Sequence, residues 1–349
     1  METLEETCSQ FLKNQQEKGK TANSLENYKT DLDCFLDFCQ RFFDSKKKED
    51  LLEDEEKRGI PLAFLDYALM KEYGSCLESK YKDYPNSKRR KLSSLRIFFD
   101  YLILTQRASS NLAKIIPNPP KELRPLSPVS LEDLSLLVAH LMHRQKEETY
   151  GPNAPNAVKI KKSRLENLSN LICWRDLCLF SLNYYTAIKV SHLGKVRWEE
   201  IFWDKENNFA SPRILVSYRK RSPISIPFPS TFAKILLVYY EKFSGFMGRP
   251  VSSLFFKANF ASILGEGMSP RGIELTFQKY KESLGLKCFT PKALCQSAVL
   301  YWLQQGKSPE LVKDWMGVAP DYDLTLYLEA IEDLTFAPLS FLPLESLCS

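Results

Sequence analysis

The alternation of apolar and polar positions along this chain is overwhelmingly helical. From Leu4 to Gln15 apolar side chains return on one face. After a Gly-Lys-Thr turn, with Asn23 or Ser24 as the expected cap, a second run starts at Leu25 and continues through Leu32, Phe35, Leu36 and Cys39. The charge-dense stretch from Lys46 to Arg58 predicts a solvated loop or a frayed helix. Helical spacing resumes at about 64–77 and 86–104, where Leu92, Leu95, Phe98 and Phe99 turn inward. Pro117-Asn118-Pro119-Pro120 and Pro125 to Pro128 then remove backbone donors and exclude regular structure. These runs predict a helical domain over 1–115, a stiff linker over 116–129 and a second domain over 130–349.

In the second domain Ser130-Leu131-Glu132-Asp133 reads as a capping box, and the polar stretch from Gln145 to Ser163 as a loop insertion. Asn170 to Tyr185 is a core helix carrying Trp174, Leu177, Leu179, Phe180 and Tyr184. The only strands the pattern supports are Ile214 to Tyr218 and Ile224 to Pro227, joined by Arg219-Lys220-Arg221-Ser222-Pro223. Ser269-Pro270-Arg271 opens a helix to about Leu284. The most specific punctuation lies between Cys288 and Tyr327. Thr290 caps a helix whose first residue is Pro291, Leu294, Ala298, Tyr301 and Trp302 line its face, and Gln305-Gly306 stops it. Ser308 and Pro309 open a second helix ending near Gly317, and Tyr327 falls in a third.

The order Thr-Pro-x-x-Leu, aliphatic helix, Gly turn, short helix, Met-Gly and tyrosine resembles the C-terminal signature of the tyrosine recombinases, the phage-integrase and Xer-type family. The resemblance implies a mainly α fold: an N-terminal helical core-binding (SAM-like) domain and a C-terminal mixed α+β catalytic-type domain with a small antiparallel hairpin or sheet. It also implies roles. Tyr327, nine residues after Val318, stands at the nucleophile's place. Val318, Lys292, Cys295 and Gln296 stand where the family has histidine, histidine, arginine and histidine. Thr186-Ala187-Ile188-Lys189-Val190-Ser191-His192 matches a second block whose arginine has become Lys189. The hairpin turn would deliver a catalytic lysine: Arg219 falls in register and Lys220 lies beside it. Lys88, Arg89, Lys91 and Arg96 on the fourth helix, with Arg221 and Arg271, are the expected DNA contacts.

Composition then narrows the class. The chain has 349 residues and 44% apolar side chains, enough for two cores. No apolar run approaches the roughly 18 residues a membrane span needs, and the acidic start lacks a signal peptide's features, so a cytoplasmic protein is expected. Nine cysteines without a CxxC pair, beside three histidines, give neither a disulfide framework nor a metal site. Net charge is +5, and residues 1–110 are nearly balanced, with 19 Lys and Arg against 20 Asp and Glu. Charge alone does not establish a nucleic-acid partner.

The family's tyrosine attacks a DNA phosphodiester to give a 3′-phosphotyrosyl link without metal or nucleotide cofactor, so protein cations must carry the charge. A guanidinium donates two bonds to a phosphate, which an ammonium or thiol does not. Three readings follow. A DNA-binding, recombinase-derived protein whose cleavage has decayed, acting on double-stranded DNA beside a second recombinase protomer, is preferred. An active recombinase using Lys189, Lys292 and the hairpin cations is the second. A protein-interaction module that has lost DNA binding is the third, suggested by the near-neutral N-terminal part. No membrane partner is expected.

Overall fold

The computed structural model describes residues 2–49, 59–82, 84–120, 122, 125–147, 156–204, 210–218, 222–259 and 261–333. It divides into two compact units, Met1–Arg124 and Pro125–Ser349, with the division inside the proline-rich segment. That segment is anchored at both ends. The Pro119 and Ile116 carbonyls accept from Arg89 and Arg96 in the first unit, at 2.6 and 2.8 Å. In the second unit Val129 N–H donates to Ser297 Oγ at 2.9 Å.

The first unit is helical: α1 (Leu4–Glu17), α2 (Ala22–Glu49), α3 (Tyr67–Lys80) and α4 (Pro85–Leu104), with 3-10 turns at Leu62–Phe64 and Leu112–Ile115. Thr3 and Glu6 form a reciprocal capping box that starts α1. Phe11 meets Phe98 and Tyr101 edge-on at 5.5 Å, and Leu4, Phe35, Leu69, Leu92 and Phe99 complete a dry core. Two boundaries move from the sequence expectation. α2 is capped by Thr21, whose Oγ1 accepts from Ser24 N–H at 3.1 Å, rather than by Asn23 or Ser24. α3 waits for Asp66, whose carboxylate accepts from Leu69 N–H at 2.8 Å. The helical part of the charge-dense stretch extends to Glu49, and 50–58 lie outside the described residues.

The second unit is built around one long helix, α6 (Asn156–Thr186), which packs against α5 (Leu131–Glu147), α8 (Ser230–Met247) and α10 (Pro291–Gln304). From Leu171 to Ile188 nearly every α6 side chain and its continuation is buried, as an all-round apolar helix must be. The expected loop insertion over 145–163 is corrected at both ends, since α5 reaches Glu147 and α6 begins at Asn156, and 148–155 lie outside the described residues. Polar composition there masked good helix formers such as Ala157, Lys159, Lys161 and Lys162. A three-stranded antiparallel sheet runs β1 (Ile201–Asp204), β2 (Ala210–Val216), β3 (Ile224–Pro227), with Val216 opposite Ile224. A second hairpin pairs β4 (Phe256–Ala258) with β5 (Ile263–Glu266). Three of these five strands, β1, β4 and β5, were not read from the sequence: each is only three or four residues long, and none is joined to its partner by a basic turn as β3 is. Glu266 fastens the second hairpin by accepting from the Ser252 and Ser253 amides at 3.1 Å, and those bonds hold its pKa down at about 2. The remaining helices are α7 (Val190–Leu193), α9 (Pro270–Leu284), α11 (Pro309–Trp315) and α12 (Thr325–Asp333). The fold is thus mainly α: a helical N-terminal unit, then, further along the chain, a mixed α+β unit. No helix among the described residues is long and apolar enough to cross a membrane.

Candidate functional site

The turn after α6 carries the first site residue. Ala187 takes a positive φ of 49°, a left-handed conformation that costs a residue with a Cβ about 1–2 kcal/mol. Asn183 braces it: its carbonyl accepts from Ala187 N–H at 3.0 Å and its side chain donates to the Ile188 carbonyl at 2.9 Å. The chain leaves this turn with Lys189 at the N-cap of α7, exposed to solvent.

The same Asn183 amide donates to Cys295 Sγ at 3.2 Å, so the α6 turn and α10 meet at the thiol. Burial pushes the Cys295 thiol up to about 11, with Asn183 and the Lys189 ammonium pulling the other way. At neutral pH it is therefore an uncharged thiol. One residue on, Gln296 is buried and its Oε1 accepts from Ser127 N–H at 3.0 Å. Tyr327, 8% exposed on α12, is hydrogen-bonded to the Gln296 side chain. Burial first, then Tyr322 and Cys295, raise its hydroxyl above the usual phenolic range. Lys189 and Tyr327 thus both lie within electrostatic reach of Cys295. The tyrosine, however, is packed into the domain.

A residue without a role in the sequence reading completes this corner. Tyr218 is buried beyond the end of β2, and its hydroxyl donates to the Trp315 carbonyl at 3.0 Å. Its ring lies against Gly317, where an added Cβ would stand 2.6 Å from a ring carbon. Lys189 Nζ lies over the ring at 5.9 Å, and the His192 ring meets it edge-on at 5.3 Å. Burial, then the Lys189 and Lys195 charges, lower the His192 pKa, which favours a neutral imidazole. The signal for Tyr218 was available: Ile214, Val216 and Tyr218 are buried at a spacing of two, so it belongs to the inward face of the strand.

Other expected positions are dispersed. Lys292 is exposed at the start of α10 and lines a groove with Val190, Glu274, Lys281 and Glu282. Val318 is half-buried, and its backbone N–H is taken by the Lys313 carbonyl at 3.2 Å. Arg219, Lys220 and Arg221 lie outside the described residues. Arg271 projects from the first turn of α9 with only an exposed 3.6 Å pairing to Glu274. On α4 the outward-facing expectation is corrected. Lys88 is buried and paired with Glu78, and Lys91 is buried beside Asp31 at 3.4 Å. Arg89 and Arg96 donate to the backbone of the proline segment. All four have their first partners within the unit, and for Lys88 and Lys91 these are carboxylates because a buried ammonium needs one.

No family model matches the chain. Its sequence is similar to curated relatives along nearly its whole length. It is 21% identical to the tyrosine recombinase XerC of Chlamydia muridarum over 322 residues, covering 91% of this chain and 90% of the relative. With XerC of Herpetosiphon aurantiacus it shares 22% over 327 residues, 91% and 88% of the two chains. Among solved structures, lambda integrase residues 75–356 bound to DNA match with TM-score 0.58 at 13% identity, covering 97% of this chain and all of that one. XerH bound to difH substrate matches with TM-score 0.56 at 14% identity, covering 94% and 84%. The chain is thus similar to tyrosine recombinases along nearly its whole length and shares the fold of lambda integrase.

Proposed function

We propose that this chain binds duplex DNA as a recombinase-derived protein in site-specific recombination or integration, with strand cleavage by Tyr327 lost or severely slowed. One observation carries the reading. Lys189 and Tyr327 lie within electrostatic reach of Cys295, but the thiol is neutral, Gln296 is spent on Ser127 and Tyr327, and Val318 offers no side-chain donor. Lys189 and Lys292 retain charge among the described positions, without the two-pronged geometry of a guanidinium. Removing one preorganised donor slows such chemistry by about 10²–10³ and removing a general acid by about 10²–10⁴. The losses are not additive, yet any one is severe.

Solved neighbours on DNA, among them a lambda integrase tetramer on a Holliday junction with TM-score 0.58, support duplex DNA and further recombinase protomers as partners. Arg271 is the exposed expected contact, and Arg221 is kept as another. Lys88, Arg89, Lys91 and Arg96 contact phosphates by exchanging their internal partners for them on binding. Gel retardation of a duplex at 50 and 200 mM salt tests the reading. Affinity is expected to fall by roughly tenfold or more between them, as phosphate contacts require, and Arg271→Glu to weaken binding at both. Absence of retardation at the lower salt, or a salt-independent affinity, contradicts it.

A further inference from the structure

We propose that Tyr218 is a built-in occupant of the site's anion seat: its ring fills the space a phosphodiester would need against Lys189, so the site is closed as well as short of cations. This rests on reading the corner as a phosphate site. The ring touches the elements that such a phosphate would have to reach. It lies under Lys189 Nζ, edge-on to His192, against the Gly317 turn that precedes Val318, and within electrostatic reach of Cys295. It is fixed at its far end by the bond to the Trp315 carbonyl. Gly317 is what admits it, because any Cβ there would enter the ring. The aromatic face also lies between the Lys189 ammonium, which keeps its charge, and the space beneath it. Restoring guanidinium groups at 189 and 295 would therefore leave the seat filled.

The test uses tungstate, a phosphate-shaped oxyanion, titrated calorimetrically into the full chain. Tyr218→Ser is expected to bind it at least about tenfold tighter than the unsubstituted protein, and Lys189→Met in that background to abolish the gain. Tyr218→Phe, which keeps the ring, is expected to stay closed. If Tyr218→Ser does not fold, Tyr218→Leu, which surrenders the far half of the ring, takes its place with the same readings. Equal tungstate affinity in the unsubstituted and opened proteins, or a gain that survives Lys189→Met, overturns the proposal. Duplex retardation run on the same proteins keeps the two questions apart: loss of DNA binding throughout sinks the DNA reading, whereas the plug is judged by tungstate alone.

Discussion

Gly317→Ala is expected to destabilise the second unit by about 2–5 kcal/mol. Gly317 has φ +60, where a Cβ costs about 1–2 kcal/mol, and the new carbon would stand 2.6 Å from the Tyr218 ring, an overpacking that costs about 1–3 kcal/mol more. Gly285 is the control. It has φ +67 with nothing within 4 Å of an added Cβ, so Gly285→Ala should cost only the backbone part, about 1–2 kcal/mol. All five tryptophans, Trp174, Trp198, Trp203, Trp302 and Trp315, fall in the second unit, so urea titration followed by tryptophan fluorescence reports on it. Equal costs for the two substitutions would mean that Tyr218 does not fill the corner.

Asp31→Ala is expected to cost the first unit about 3–5 kcal/mol. Asp31 is buried and accepts from Arg90 at 2.7 Å, Lys91 at 3.4 Å and Ser94 Oγ at 2.7 Å. Removing it leaves the Lys91 ammonium buried without its carboxylate, and the cost is that uncompensated charge rather than the worth of the pair. Asp31→Ala with Lys91→Met should therefore recover much of the loss. Amide hydrogen exchange across α2 and α4 is the measurement. A double substitution no better than Asp31→Ala alone would show that Lys91 is not held by this carboxylate.

Both predictions rest on contacts that a linear sequence hides to different degrees. Local chemistry was legible where it is self-contained. Thr290, Ser308 and Ser269 cap their helices at 3.0, 3.3 and 3.1 Å, each followed by proline at the first helical position. The placement of Tyr327 on a short helix followed from the same punctuation, whereas Lys189 was picked out by the family resemblance. What failed depended on distant partners. Lys91 looks solvated on its own helix, but the carboxylate that allows its burial lies 60 residues away. Tyr218 was read only as a strand residue because its significance comes from Gly317 and Lys189, on two other segments. The polar stretch before α6 was misread because charge marks exposure and says little about whether a backbone is helical.

Covalent capture measures the separation of scaffold from reactivity most directly. The full chain is incubated with a duplex selected for binding from a random pool and nicked near its centre, so that any cleaved strand diffuses away and traps the protein–DNA link. The expected result is retardation of the duplex on a native gel and no covalent adduct on a denaturing gel. An adduct that forms with the unsubstituted protein and disappears with Tyr327→Phe would contradict it, because it would show that Lys189 and the remaining groups still activate Tyr327 and stabilise its phosphate.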